Sequence, residues 1–189
     1  MNEEQLNALW ATLSRPRMAQ YLEATGEDRE RALQLYVWNA RIGAEFHFCI
    51  QTCEVALRNR IGAILRAEFG DTWFREAAYL ALIDDGRQAD LDQAATRIRN
   101  RKQALTNDQV VATLSFGFWV GMLEPRYNPA IWAAHLRAAF PGLPDGRART
   151  SVHQSAVSAL TLRNRIFHHE PLISLDLSKT HSDISNLLS

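Results

Sequence analysis

The sequence predicts an all-α bundle with one or two long central helices, and three observations predict it. Almost every segment repeats its apolar residues at helical spacing. No stretch sustains strand-like alternation between turn signals. Proline, glycine and short polar residues fall where helices need caps and stops.

Taken in order, Asn2 to Leu13 predicts a short first helix, and Pro16 opens a second that stops at Gly26. Thr25-Gly26-Glu27-Asp28 has the form of a capping box launching a long helix. Its apolar stripe runs through Leu33, Val37, Ala40, Ala44, Phe48 and Val55, and Gly70 is its stop. Gly43 lies inside it, at a bend or a close helix crossing. Asp71-Thr72 starts a further piece through Trp73 to Leu82, punctuated by Asp85-Gly86. Arg87 to Leu105 is a polar amphipathic helix, and Asn107 caps one that carries Val110, Val111, Leu114, Phe118 and Val120 to Pro125. Asn128-Pro129 is a cap followed by proline at the first helical position; that helix ends at Pro141-Gly142. After the turn at Pro144-Asp145-Gly146 a helix runs from about Arg147 to His169, and a weak terminal helix covers about Ser182 to Leu188.

A chain of 189 residues, 47% hydrophobic and 22% charged, is long enough for one buried core and is expected to form a single domain over 1–189 with a small appendage. Its 21 basic residues balance its 21 acidic ones, which argues against a non-specific nucleic-acid binder but leaves room for one local RNA site. The balance is uneven: residues 1–30 hold six acids against Arg15, Arg17 and Arg29, while 87–102 hold five basic residues against Asp90 and Asp92. The basic stretch has the form of a solvated helix face, with a nucleic-acid role as the alternative reading. No apolar run approaches the roughly 20 residues of a membrane span, so no membrane association is expected. The acidic N-terminus lacks a signal-peptide pattern, and a reducing cytoplasm is the expected location. Cys49 and Cys53 are expected in the core, since four-residue spacing on a helix strains a disulfide and only His47 lies near as a further metal ligand.

The chemistry concentrates in Leu162-Arg163-Asn164-Arg165-Ile166-Phe167-His168-His169-Glu170-Pro171. Here two arginines, an asparagine and two histidines crowd the end of a helix that Pro171 must terminate. Imidazole moves protons near neutral pH, and guanidinium grips phosphate with a rigid pair of donors. On a helix, Val152, Ala156, Ala159, Leu162 and Ile166 form an apolar arc, widened by Leu160 and Phe167. Arg163 projects into that arc, Asn164 and His168 share a face beyond its edge, and His169 leaves from the opposite edge. A purely structural account is also open: Arg163 pairs with a carboxylate such as Glu54, and His168 and His169 sit at the helix C-terminus, where cations suit the dipole. No metal is expected, because no H-E-x-x-H spacing is present, and no serine sits in a glycine-flanked elbow. Leu57-Arg58-Asn59-Arg60-Ile61 echoes Leu162-Arg163-Asn164-Arg165-Ile166, so two Arg-Asn pairs are candidates to face one cleft.

The string Arg163-Asn164-Arg165-Ile166-Phe167-His168 resembles the R-N-x-x-x-H form of the Rx4–6H signature of the HEPN superfamily. His169-Glu170-Pro171 after it resembles the Abi-like (abortive infection, AbiD/AbiF-type) branch. Tyr36-Val37-Trp38-Asn39, Glu54-Val55-Ala56-Leu57-Arg58-Asn59, Leu114 to Val120 and Phe140-Pro141 fall in the same order as that family's landmarks, so the resemblance covers about 28–188 and leaves 1–27 as an N-terminal helical appendage. Phe167 departs from it, standing where the family usually has a small residue. The resemblance implies a HEPN-like bundle and a metal-independent endoribonuclease of phage defence or a toxin system, needing no cofactor and acting as a homodimer whose motif helices meet across a two-fold axis. It implies that His168 is the general acid/base for attack of the ribose 2′-hydroxyl on phosphate, that Arg163 stabilises the transition-state charge and that Asn164 orients His168 or the phosphate. His169 is the competitor for the proton transfer, with Glu54, Arg58 and Asn59 as supporting candidates. Small RNAs or an antitoxin are candidate regulators. Two other classes stay open: a non-catalytic RNA- or nucleotide-binding module, and a structural dimerisation protein.

Overall fold

A computed structural model describes residues 3–144 and 148–188. Short helices α1 (Glu3–Leu13) and α2 (Arg15–Ala24) lead into the 41-residue α3 (Arg29–Phe69), which Gly70 ends at φ 86°. A 3-10 turn (Trp73–Arg75) and α4 (Ala77–Leu80) precede α5 (Asp85–Asn100). Then come α6 (Asn107–Thr113), α7 (Phe116–Gly121), a 3-10 turn (Pro125–Tyr127), a wide π-type turn (Asn128–Trp132) and α8 (Ala133–Ala139). The chain closes with α9 (Arg149–Phe167) and α10 (Leu177–Leu188). Among the described residues there is no strand, and no helix is long and apolar enough to cross a membrane.

The long helix α3 is the spine: α2, α6, α7, α8, α9 and α10 all pack on it. Its core side is Phe46, Ile50, Cys53, Leu57, Ile61 and Leu65, a run at three- and four-residue steps. These meet Trp73, Trp119 and Trp132, and Ala156, Ala159 and Leu162 of α9. Two of these indoles use their N–H groups, Trp73 donating to Asn107 Oδ1 at 2.8 Å and Trp132 to the Met122 carbonyl at 2.7 Å, whereas Trp119 Nε1 is buried without a hydrogen-bond partner. A second, smaller core of Met18, Tyr21, Leu22 and Ala32 joins α2 to the first turns of α3.

The expected apolar stripe on this helix is the wrong one. Of Leu33, Val37, Ala40, Ala44, Phe48 and Val55, only Leu33 is buried, and Phe48 is 73% exposed. Two apolar stripes run along α3, and the fold buries the other. The launch of α3 also differs: Asp28 is its cap, accepting from the Glu30 and Arg31 amides at 3.1 Å, whereas the Thr25 hydroxyl closes α2 by donating to the Tyr21 carbonyl at 2.8 Å. Asp85-Gly86 does not separate elements but opens α5, which Asp84 caps, and that helix stops at Asn100 rather than running to Leu105. Thr106 rather than Asn107 caps α6. The helix expected to run to Pro125 breaks at Leu114-Ser115, because the Ser115 hydroxyl accepts from the Phe118 amide and starts α7 afresh. The terminal helix starts earlier than expected, at Leu177, where Asp176 Oδ1 accepts from the Lys179 amide at 2.8 Å. Arg60 on α3 holds its other end by donating to the Leu187 carbonyl at 2.7 Å and the Leu188 carbonyl at 3.3 Å. The expected turn at Pro144-Asp145-Gly146 and the helix start at Arg147 fall partly outside the described residues.

Candidate functional site at the end of helix α9

Both motif arginines on α9 are held, in different ways. Arg165 secures the chain after the helix, donating through Nη1 to the Pro171 carbonyl and the Ser174 hydroxyl, each at 2.9 Å. Arg163 instead lies on the surface of its own helix, its guanidinium 4.5 Å from the centroid of Phe167, one turn on. Phe167, the residue where the chain departs from the resembled pattern, is therefore the platform under that charge. Arg163 Nη1 donates to Asn164 Oδ1 at 3.3 Å. Its Nε stands 3.9 Å from Glu54 Oε2 on α3, outside hydrogen-bond range, and is buried without a hydrogen-bond partner. At that separation, with 31% and 25% of the side chains exposed, the pair contributes at most roughly 1 kcal/mol.

Helix α9 crosses α3 antiparallel: Phe167 meets His47 with ring centroids 5.9 Å apart, while Arg163 meets Glu54 one heptad further along α3. At Gly43, which Ile166 and Leu172 cover, a Cβ would sit 3.6 Å from the one and 3.9 Å from the other, ordinary contact distances, so the crossing does not demand a glycine. Arg58, one turn past Glu54, is half-buried, and its Nε is also without a hydrogen-bond partner. With Asn59 it lines a separate hollow of about 290 Å³ toward α6. The Arg58-Asn59 pair thus opens toward α6 rather than into the contact set around Arg163. The second arginines, Arg60 and Arg165, both tie down backbone carbonyls instead.

The helix ends in a Schellman motif. The His169 amide donates to the Ile166 carbonyl at 3.1 Å and the Glu170 amide to the Arg165 carbonyl at 2.7 Å, with His169 left-handed at φ 56°. His168 is the residue before it, exposed to solvent, as is Asn164. Beyond the motif the chain is clamped by Asn39 of α3, whose Oδ1 accepts from the Leu172 amide at 2.6 Å and whose Nδ2 donates to the Glu170 carbonyl at 3.4 Å. Arg17 of α2 adds a bond to the His169 carbonyl at 2.9 Å.

This clamp leaves a groove of about 470 Å³ between α3 and the end of α9. His169 and Glu170 line one side, Tyr36 and His47 the other, over Ala40, Gly43 and Ala44. His168 does not line it. The structure thus gathers Arg163, Asn164, Glu54 and Phe167 into one contact set, and sets His169 and His47 around an adjoining groove. His47 is the residue that sequence reasoning missed as a site component; its spacing of seven from Glu54, which puts both on one face of α3, was the available signal. Among the described residues no three of His, Cys, Asp and Glu converge as a metal site. Cys49 and Cys53 are free, and burial pushes the Cys53 thiol up to about 12, which makes it inert. No family model, curated protein or solved structure matches this chain.

Proposed function

We propose that the chain is a HEPN-like, Abi-like endoribonuclease of phage defence or a toxin system, metal-independent and working as a homodimer in the cytoplasm. The observation that carries the reading is the Arg163 guanidinium. It is laid on Phe167, bonded to Asn164, and keeps an Nε with no hydrogen-bond partner beside Glu54. The exposed part of the guanidinium, on a side chain 31% exposed and beside exposed Asn164 and His168, suits an anionic ligand such as a phosphodiester.

In this reading His168 takes the proton from the ribose 2′-hydroxyl, O2′ bonds to phosphorus, and the bond from phosphorus to O5′ breaks. The His168 of a second copy, brought near by a two-fold axis, returns a proton to the departing O5′. Arg163 offsets the charge gained by the non-bridging oxygens. The products are a 2′,3′-cyclic phosphate and a 5′-hydroxyl, and DNA resists because it lacks the nucleophile. The dimer has a candidate surface in Val37, Trp38 and Phe48 of α3 with Phe167 of α9, all large apolar side chains exposed to solvent.

Incubating the protein with mixed RNA in EDTA tests this. Wild type is expected to cut and His168→Ala to lose at least a hundredfold in rate. Because His168 is exposed, the melting temperature should hold. Cutting by His168→Ala at the wild-type rate overturns the assignment; loss in His169→Ala alone moves the proton transfer to that residue. A gel shift without cleavage by wild type selects a non-catalytic RNA- or nucleotide-binding module instead.

A further inference from the structure

We infer that the groove between α3 and the end of α9 is a nucleobase subsite, which holds the base beside the scissile phosphate and selects its identity. This rests on the ribonuclease reading of the α9 end. Two features of the groove point to a planar heterocycle. Its floor at exposed Ala40 and Ala44 carries no side-chain atom beyond Cβ, while Ile166 and Leu172 close over Gly43 as its wall, so a flat ring can lie against the two alanines. Tyr36 and His47 flank that floor with rings, and Tyr36 is braced by an edge-on contact with Tyr21 at 5.5 Å. Stacking on such rings holds any base by its face.

Selection among bases then falls to the polar end. The backbone there is already spent: Asn39 takes the Leu172 amide and the Glu170 carbonyl, and Arg17 takes the His169 carbonyl. What remains for a ligand is the His169 and Glu170 side chains. A carboxylate accepts from amino and ring N–H groups, so Glu170 favours a base that presents donors, guanine foremost, over uracil in this groove. The groove also lies where a neighbouring base must go. From Arg163 the path runs across Phe167, 4.5 Å away, to His47, whose ring centroid lies 5.9 Å from that of Phe167. The Phe167–His47 ring pair therefore links the proposed phosphate site to the groove that His47 lines.

The probes are the four 5′-mononucleotides, titrated into the full chain while the imidazole signals of His47 and His169 are followed by NMR. GMP is expected to shift both, and UMP at least tenfold less avidly. Ala40→Phe fills the floor from an exposed position and should abolish both shifts without lowering the melting temperature. Glu170→Gln should keep binding but bring GMP and UMP within about twofold of each other, and sequenced cleavage ends should lose their base preference in step. Shifts that leave His47 and His169 untouched, or survive Ala40→Phe, overturn the subsite. If His168→Ala abolishes cleavage while Ala40→Phe and Glu170→Gln leave rate and base preference unchanged, the subsite falls and the nuclease stands. If nucleotides bind the groove and no RNA is cut, the base site stands and the nuclease falls.

Discussion

Replacing Phe48 by alanine separates two accounts of the outer face of α3. In the single chain this ring is 73% exposed, so truncating it removes little buried surface and should cost well under about 1 kcal/mol. If two copies pack their α3–α9 faces together, each Phe48 goes from water into apolar contact. Full burial of a phenylalanine stabilises by about 1.5–3 kcal/mol. A two-fold interface buries two of them, giving about 3–6 kcal/mol, or roughly a hundred- to ten-thousandfold in dimer affinity. Sedimentation velocity across a wide concentration range measures this directly, and thermal melting at low concentration checks the fold. The expected result is a wild-type dimer, a Phe48→Ala monomer at the same concentration, an unchanged monomer melting curve, and RNA cleavage that falls with the dimer. Wild type that stays monomeric throughout, or Phe48→Ala that associates as tightly, refutes the reasoning.

Three further outcomes follow from contacts away from that face. Asn39→Ala strands the buried Leu172 amide and should lower stability by roughly 1–3 kcal/mol in urea unfolding, with amide exchange at Leu172 rising before global unfolding. Gly121→Ala puts a Cβ on the Arg87 guanidinium, which is held at 2.9 Å by Glu124 with 14% of its side chain exposed; to admit the methyl, Arg87 must leave that pair, at a cost of roughly 1–3 kcal/mol, whereas a melting temperature equal to wild type would show that the side chain swings aside freely. His153 has its pKa lowered, first by burial and then by Arg149, so the unfolded chain binds its proton more readily. Stability is therefore present above the ordinary histidine pKa and is lost as pH falls below it; His153→Gln should flatten that part of the stability curve.

Helix positions were legible where a side chain marks a boundary, as Pro16 marks α2 and Gly70 ends α3. Where a helix restarts through its own hydroxyl, as at Ser115, the apolar period ran on through the break and concealed it. The inner face of α3 was not legible for a different reason. Val37, Ala44 and Phe48 repeat with the same period as Ile50, Leu57 and Ile61, and period says how residues group, not which group meets the core. The motif at Arg163, Asn164 and His168 stood out because so many polar groups end one helix. The groove did not, since it exists only where α3 crosses α9 and Asn39 folds the chain back.

The left-handed backbone at His169 has an evolutionary consequence. A residue with a Cβ in that conformation carries a strain of about 1–2 kcal/mol that glycine would relieve. Pressure for thermostability alone would therefore replace the imidazole, and retention of histidine at this position across descendants would record a demand on its ring rather than on the fold.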